Sequence, residues 1–506
     1  MSKVIEQPTR PFIPYSLCGL LFVCVWLQVF IARNVTLDTI LLQILGSCMA
    51  AALGLWYVKY AHTSLMTVGT VLLLLVITFI KSSFIYASQM TSVDLLESTA
   101  IHDFELVVSR DLVYKNHTWT GQANVMYQGR CIGSVGLHAK EPFLRETHLC
   151  CEGRFTQYKD KEFSEEQFKR GVLGTIQVTK VNSKTYEEGI IGEVAQFREN
   201  CISQLQPEQS FGRALVACGL CAYRPSLYSF NIPRIFMRCG LMHLIAISSC
   251  HMVILSAFTD AFLKKITIKP LLRGVVNLFL LSSYALFCGL PASAMRAILL
   301  VEQKYVMQCM GRKNHTLSAV SIVALFMLCI DPQLSVNIAF TLSLACIFGM
   351  NIYGGLAQYY AKIAFHISGY GKIQKILRKP FSDVRNTMCA TTIAQLSCLP
   401  ISCMYFGHFS LLAPLSSALI TSLFSLLSLF GIGAIALCWF KPAQDVAFCL
   451  VDFLGQFIET LTSFLSERSF ASVSLTDMSW IVSLLVFAAM VALYVFWPKG
   501  KRVVLS

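Results

Sequence analysis

Charge is scarce in this chain. Only 14% of its 506 residues are Asp, Glu, Lys or Arg, against about 25% in a soluble domain. With 55% apolar residues, that excludes a soluble enzyme, a disordered chain and a fibrous protein. Acids are scarcer still: 28 Asp and Glu face 41 Lys and Arg, for a formal net charge of +13. Zinc-hydrolase motifs are lacking, since the ten His form no HxH and no HExxH. The Cys218/Cys221 pair has no second pair at zinc spacing. A Walker A loop is lacking as well. Ser368-Gly-Tyr-Gly-Lys372 comes nearest, but His366 stands at the first Gly position and Ile373 at the Ser/Thr position. Neither an ATP motor nor a metal or cofactor site is therefore expected.

What the chain has is apolar runs. A run of about 18 residues or more can cross a bilayer as a helix. Candidates are 11–32, 38–58, 66–87, 239–263, 271–289, 291–308, 316–331, 336–358, 387–406, 411–439, 445–466 and 478–497. The expected fold is thus a polytopic α-helical membrane protein with about 12 spans. The pair meeting at Gly289-Leu290-Pro291 could also be one broken element. The first run is too long for a cleaved signal peptide, and no small-residue cleavage site follows it.

Lys and Arg in short loops set the orientation. If the N-terminus is cytoplasmic, residues 90–205 fall outside. Lys264, Lys265, Lys269 and Arg273 then fall inside, as do the basic segment 359–386 and the tail Lys499, Lys501 and Arg502. One orientation accounts for every cluster, so both termini are expected in the cytoplasm. The +13 also has a sharper reading, attraction of an anionic cargo.

Residues 91–200 differ from the rest, with 13 Lys and Arg against 16 Asp and Glu. Five short β-rich runs lie there, at 104–109, 122–127, 134–138, 148–155 and 174–180, each bounded by Gly or polar turns. Five strands in about 90 residues suit a small barrel of the OB type, and a sandwich has the same strand count. Lys161–Arg170 is charged and helix-prone. Of the 20 cysteines, most sit in apolar runs (Cys18, Cys24, Cys48, Cys329, Cys346, Cys438) and read as small hydrophobes. Cys131, Cys150, Cys151 and Cys201 lie in the polar segment. A bridge from Cys131 to Cys150 or Cys151 is an expectation for an external domain.

The expected organisation is N-terminal helices 1–89, an extracytoplasmic β domain 90–205, interfacial amphipathic helices 206–238, a channel domain 239–440 and C-terminal helices 441–506. In the third segment Arg213, Arg224, Arg234 and Arg238 stand among Phe211, Tyr223, Tyr228, Phe230 and Phe236, with one acid, Glu208. Those arginines either anchor in headgroups or form the outer mouth for a polyanion.

Polar residues at bilayer depth are costly and mark cavities. His243, Ser248 and His251 interrupt one run, and Ser293 and Arg296 another. Asp331-Pro332 ends a span, and Ser343 lies in the next. Ser248 and His251 share a helix face, so an intramembrane Ser/His hydrolase, a bundle-core role and a wet conduit are all open. No Asp or Glu is near to orient the histidine.

At these residues the chain resembles the ComEC family of competence proteins. The match comprises His243, Leu244, Ala246, Ile247, Ser248 and His251, then Ser293, Arg296 and Ala297. Gly311-Arg312, Asp331-Pro332, and Phe340, Leu342, Ser343 and Ala345 follow in order. Ser249-Cys250 replaces the family's Gly-Leu, Thr341 its Gln and Ala339 its Gly. The resemblance extends over roughly residues 1–440. It implies a non-enzymatic channel that imports single-stranded DNA through the cell membrane during transformation. DNA conduit candidates are then His243, Ser248, His251, Ser293, Arg296, Asp331 and Ser343. Implied partners are an outer DNA receptor, a cytoplasmic motor ATPase and single-strand-binding proteins. Many members carry a C-terminal metallo-β-lactamase-like domain; none is read here, so second-strand degradation is expected to fall to another protein. The alternative is an ion-coupled transporter of an anionic solute, which internal repeat symmetry would favour.

Overall fold

The computed structural model describes residues 3–5, 81, 84–85, 87–96, 103–115, 117–158, 167, 171–186, 189–245, 249–266, 269–364, 372–406, 408–468, 472–474, 479–498 and 503–505. The first two expected spans, nearly all of the third, Ser248 and most of the charged stretch 161–170 lie outside these residues.

Five strands close into a barrel: β1 (Asp103–Lys115), β2 (Thr118–Tyr127), β3 (Arg130–Ala139), β4 (Thr147–Thr156) and β5 (Val172–Tyr186). The order around the barrel is β1-β2-β3-β5-β4, and β4 returns to β1. Every pair is antiparallel except β3 with β5. Period-two alternation dictates the interior. Phe104, Leu106, Val108, Val125, Leu137, Leu149 and Ile176 point inward, and Val93 and Leu96 of the helical stretch 87–96 join the same core. Closure leaves no free sheet edge.

The expected bridge from Cys131 is not made. Cys131 opens β3 and Cys150 and Cys151 lie in β4, strands that are not neighbours, and all three thiols are free. Cys151 is spent on the barrel core instead.

Fourteen helices follow among the described residues. They are α1 (Ile190–Leu205), α2 (Phe211–Cys221), α3 (Pro225–Ser229), α4 (Ile232–Cys239), α5 (Met242–Ile245), α6 (Ser249–Lys265), α7 (Pro270–Phe287), α8 (Ala292–Cys309), α9 (Thr316–Ile330), α10 (Ile338–Ala364), α11 (Lys372–Phe406), α12 (Ala413–Ala436), α13 (Lys441–Ser466) and α14 (Ser479–Val495). Only α7, α10, α12 and α13 are long and apolar enough to cross a membrane. The expectation of about 12 spans is corrected accordingly for the described residues. The run 239–263 is divided between α4, α5 and α6. In α8, Arg296, Glu302 and Lys304 put three charges in 18 residues. The run 316–331 forms a 15-residue helix, α9, short of a bilayer's width.

The segment 206–238 also differs from expectation. Helix α2 does not lie along an interface: it is buried on nearly every side, between α12 and α13. Its Gly212 meets Gly455 of α13 so closely that a Cβ on either would strike backbone, the small-residue contact typical of membrane helices. Helix α4 is amphipathic as read, with Ile232, Phe236 and Cys239 buried and Arg234 outside.

The Gly289 junction is a turn between two separate helices. Gly289 has φ 84° and Leu290 φ 49°. A side chain at Gly289 would also collide with the Arg145 guanidinium. Two short strand pairs complete the fold, Lys3–Ile5 with Val503–Leu505 and His408–Ser410 with Ser472–Ser474.

Candidate functional site: the barrel–helix junction and the helical core

The barrel is tied to the helices by arginines. A bulge in β1 takes Asp111 out of the ladder with β2; bulges characteristically re-aim a side chain. Asp111 accepts both prongs of Arg198 from α1, Nη1 at 3.0 Å and Nη2 at 2.5 Å. Arg198 is 2% exposed, and its Nε donates to the carbonyl of Cys221 at the end of α2. Burial works against its charge, but the charge and hydrogen bonds of Asp111 outweigh that and raise its pKa. Arg145, in the β3–β4 connection, receives less help. Burial and the nearby Arg198 lower its pKa, with Asp111 opposing. Its guanidinium donates to Phe287 O at 2.8 Å and Cys288 O at 2.6 Å. Arginine thus reaches the carbonyl ends of two helices, where the helix dipole favours positive charge.

Sequence reasoning missed Asp111, Arg145 and Arg198. The signal was present for one: Arg198 falls in line with Ala195, Cys201, Ile202 and Leu205 on the buried stripe of α1.

Beside this junction the β1–β2 hairpin meets α3. Lys115 Nζ sits 4.5 Å from the Tyr228 ring centre, and Tyr114 and Trp119 pair at 5.3 Å. Tyr114 is 55% exposed, and Arg224, at the N-cap of α3, is exposed. Cation and aromatic faces therefore stand side by side on an open surface. Tyr127 lies at the other end of β2 and of the barrel, about 26 Å away at strand rise.

The four outer-mouth arginines do not act as a set. Arg213 is bound on both prongs by Asp452 of α13, Nε to Oδ1 at 3.0 Å and Nη2 to Oδ2 at 2.8 Å. It also lies over Phe448 at 4.3 Å. Its charge is consumed inside the helix pack, so its reading as a mouth residue is corrected. Arg234 and Arg224 are exposed, and Arg238 is half-buried in the last turn of α4.

The conduit candidates also separate. His243 is exposed on α5; His251 lies in α6. Asp331 caps the short 3-10 turn after α9, accepting from Gln333 N at 3.0 Å. Arg296 is fully buried where α8 packs toward α10, and its charge acts on Cys346. Ser293 is half-buried one turn before Arg296, and Ser343 half-buried one turn before Cys346. The structure thus brings Arg296 to the helix that carries Ser343. It leaves His243 and Asp331 elsewhere.

A second polar cluster joins α6, α7 and α8; of its members only Lys264 and Arg273 figured in the sequence, as charges of a cytoplasmic loop. Asp260 accepts from Arg273 at 2.9 Å, Lys264 at 2.7 Å and Tyr305 at 3.0 Å, and Asn277 donates to Tyr305 at 3.0 Å. Among the described residues no three of His, Cys, Asp and Glu are grouped to hold a metal ion.

A closed barrel docked by buried arginines onto long apolar helices defines a membrane protein with an inserted β domain. A family model described as Competence protein matches residues 226–500. That is more than half of the sequence, and the chain belongs to this family, the ComEC family, which acts in DNA uptake. The match starts in α3 and runs through α14, so the helices after residue 440 belong to it as well. No curated protein and no solved structure matches the chain.

Proposed function

We propose that this protein is a channel that imports single-stranded DNA across the cytoplasmic membrane during natural transformation, without catalytic activity of its own. The observation that carries the reading is the hairpin surface of Tyr114, Lys115 and Trp119 beside Tyr228 and Arg224. Bases of any sequence stack on aromatic faces, and phosphates bind cations. The barrel's strand order with its single parallel pair supports an OB-type domain, a fold used on oligonucleotides.

In this reading the barrel is extracytoplasmic and both termini are cytoplasmic. The pairing of Lys3–Ile5 with Val503–Leu505 supports placing the two termini on one side. Arg296, buried where α8 packs toward α10, supports the wall of the conduit within the helical domain, where the chain's positive excess eases the passage of phosphates. A DNA receptor outside, and a motor ATPase and single-strand-binding proteins inside, complete the pathway.

The test is single-strand binding by the purified protein over a range of salt. Each phosphate contact contributes about 0.7 to the slope of log K against log salt. Lys115→Gln with Arg224→Gln is expected to weaken binding and flatten that slope. Unchanged affinity and slope would remove the hairpin surface from the pathway, and uptake of a small anion by vesicles would favour the transporter instead.

A further inference from the structure

Helices α10 and α11 cross closely in the helical core. Gly349 of α10 meets Ser397 of α11 so closely that a Cβ on Gly349 would collide with the serine Oγ. Three sulfur atoms gather beside that crossing. The thiols of Cys346 and Cys398 are neighbours that act on each other electrostatically. Cys398 Sγ also lies 3.2 Å from Leu342 O, the carbonyl four residues before Cys346. Met350, one turn after Cys346, places its Sδ 3.8 Å from Cys346 Sγ.

We propose that Cys346, Cys398 and Met350 form a binding site for a soft monovalent metal ion, Cu(I). The donor set is all sulfur, and thiolate with thioether selects Cu(I) over hard cations. The 3.8 Å between Cys346 Sγ and Met350 Sδ suits three-coordination: metal–sulfur bonds of about 2.3 Å place trigonal sulfurs about 4 Å apart. Zinc is disfavoured, because it takes four ligands and Met is not among its usual ones; no third His, Cys, Asp or Glu joins the two thiols among the described residues.

Charge also balances. Binding releases one proton from each thiol, so two thiolates and one Cu(I) leave a net charge of −1. Arg296, buried in α8, is the positive charge that acts on Cys346. No electron moves and the sulfurs are not oxidised. The half-buried cysteines and the exposed Met350 leave the ion an approach. Once bound, it ties α10 to α11 one turn from Ser343.

The test is a titration of the purified full-length protein with Cu(I), in a phosphine reductant and against a chromophoric Cu(I) chelator. A difference measurement is needed because the chain has 20 cysteines. Wild type is expected to retain one ion more than Cys346→Ser/Cys398→Ser. Cys449→Ser, an exposed thiol on α13, should leave retention unchanged. Met350→Leu, at an exposed position that does not disturb packing, should weaken the site at least tenfold. X-ray absorption on the one-ion difference should show only sulfur neighbours, three in number. Equal retention by wild type and the folded double variant overturns the site. So does unchanged affinity in Met350→Leu, or nitrogen or oxygen neighbours at the metal. Because no DNA enters the measurement, its failure leaves the channel reading untouched.

Discussion

Arg198 and Asp111 make a two-pronged ion pair across the seam between α1 and β1, with side chains only 2% and 6% exposed. Neither charge has water to fall back on. Removing one partner of such a pair typically costs about 3–5 kcal/mol, because the other is left buried and uncompensated. Arg198→Ala and Asp111→Ala are therefore each expected to lower the unfolding temperature sharply in detergent. The double variant should recover part of that loss. Additive losses in the double variant would mean that the pair does not act as one unit.

Arg213 and Arg224 offer a contrast within one short stretch. Arg213 is bound to Asp452 and Arg224 is open. Arg213→Gln should lower thermal stability and leave the salt slope of single-strand binding intact. Arg224→Gln should do the reverse, reducing the slope by about 0.7. Binding assays across a salt series, run beside thermal melts, separate the two effects.

Gly289 combines a left-handed backbone with contact against the Arg145 guanidinium. Gly289→Val is expected to displace Arg145 from the carbonyls of Phe287 and Cys288. Limited proteolysis should then cut the connections around the barrel faster than in wild type. Gly311 is left-handed as well, but open space surrounds the position of its Cβ. Gly311→Ala should therefore leave the cleavage pattern unchanged.

Lys140 is exposed at the end of β3. A cysteine placed there should react with an impermeant thiol reagent on intact cells. Labelling only after lysis would put the barrel in the cytoplasm and reverse the proposed orientation.

The barrel was legible because alternation is local: the five β-rich runs lie within the five strands of the structure. The helices were less so. Hydropathy counts apolar residues along a line, and it cannot see that α2 is enclosed by α12 and α13 or that the fold buries Arg296 of α8 completely. Arg213 illustrates the same limit. Its partner Asp452 lies 239 residues away, so a basic, aromatic stretch read as a mouth although one of its charges was already bound. Asp111 was invisible because a bulge, a backbone irregularity, gives it its role. Cys346 was read as a small hydrophobe and Cys398 was not singled out, and only the crossing at Gly349 brings the two together.

The grip of Arg145 on the α7–α8 turn has a mechanical consequence. Loop and turn are pinned together, since two hydrogen bonds hold the guanidinium against backbone. Helix α8 starts at Ala292 and reaches Arg296 within little more than a turn. Force applied to the barrel is therefore delivered to the root of α8, and the distance from there to the buried arginine is about 6 Å, at 1.5 Å per residue.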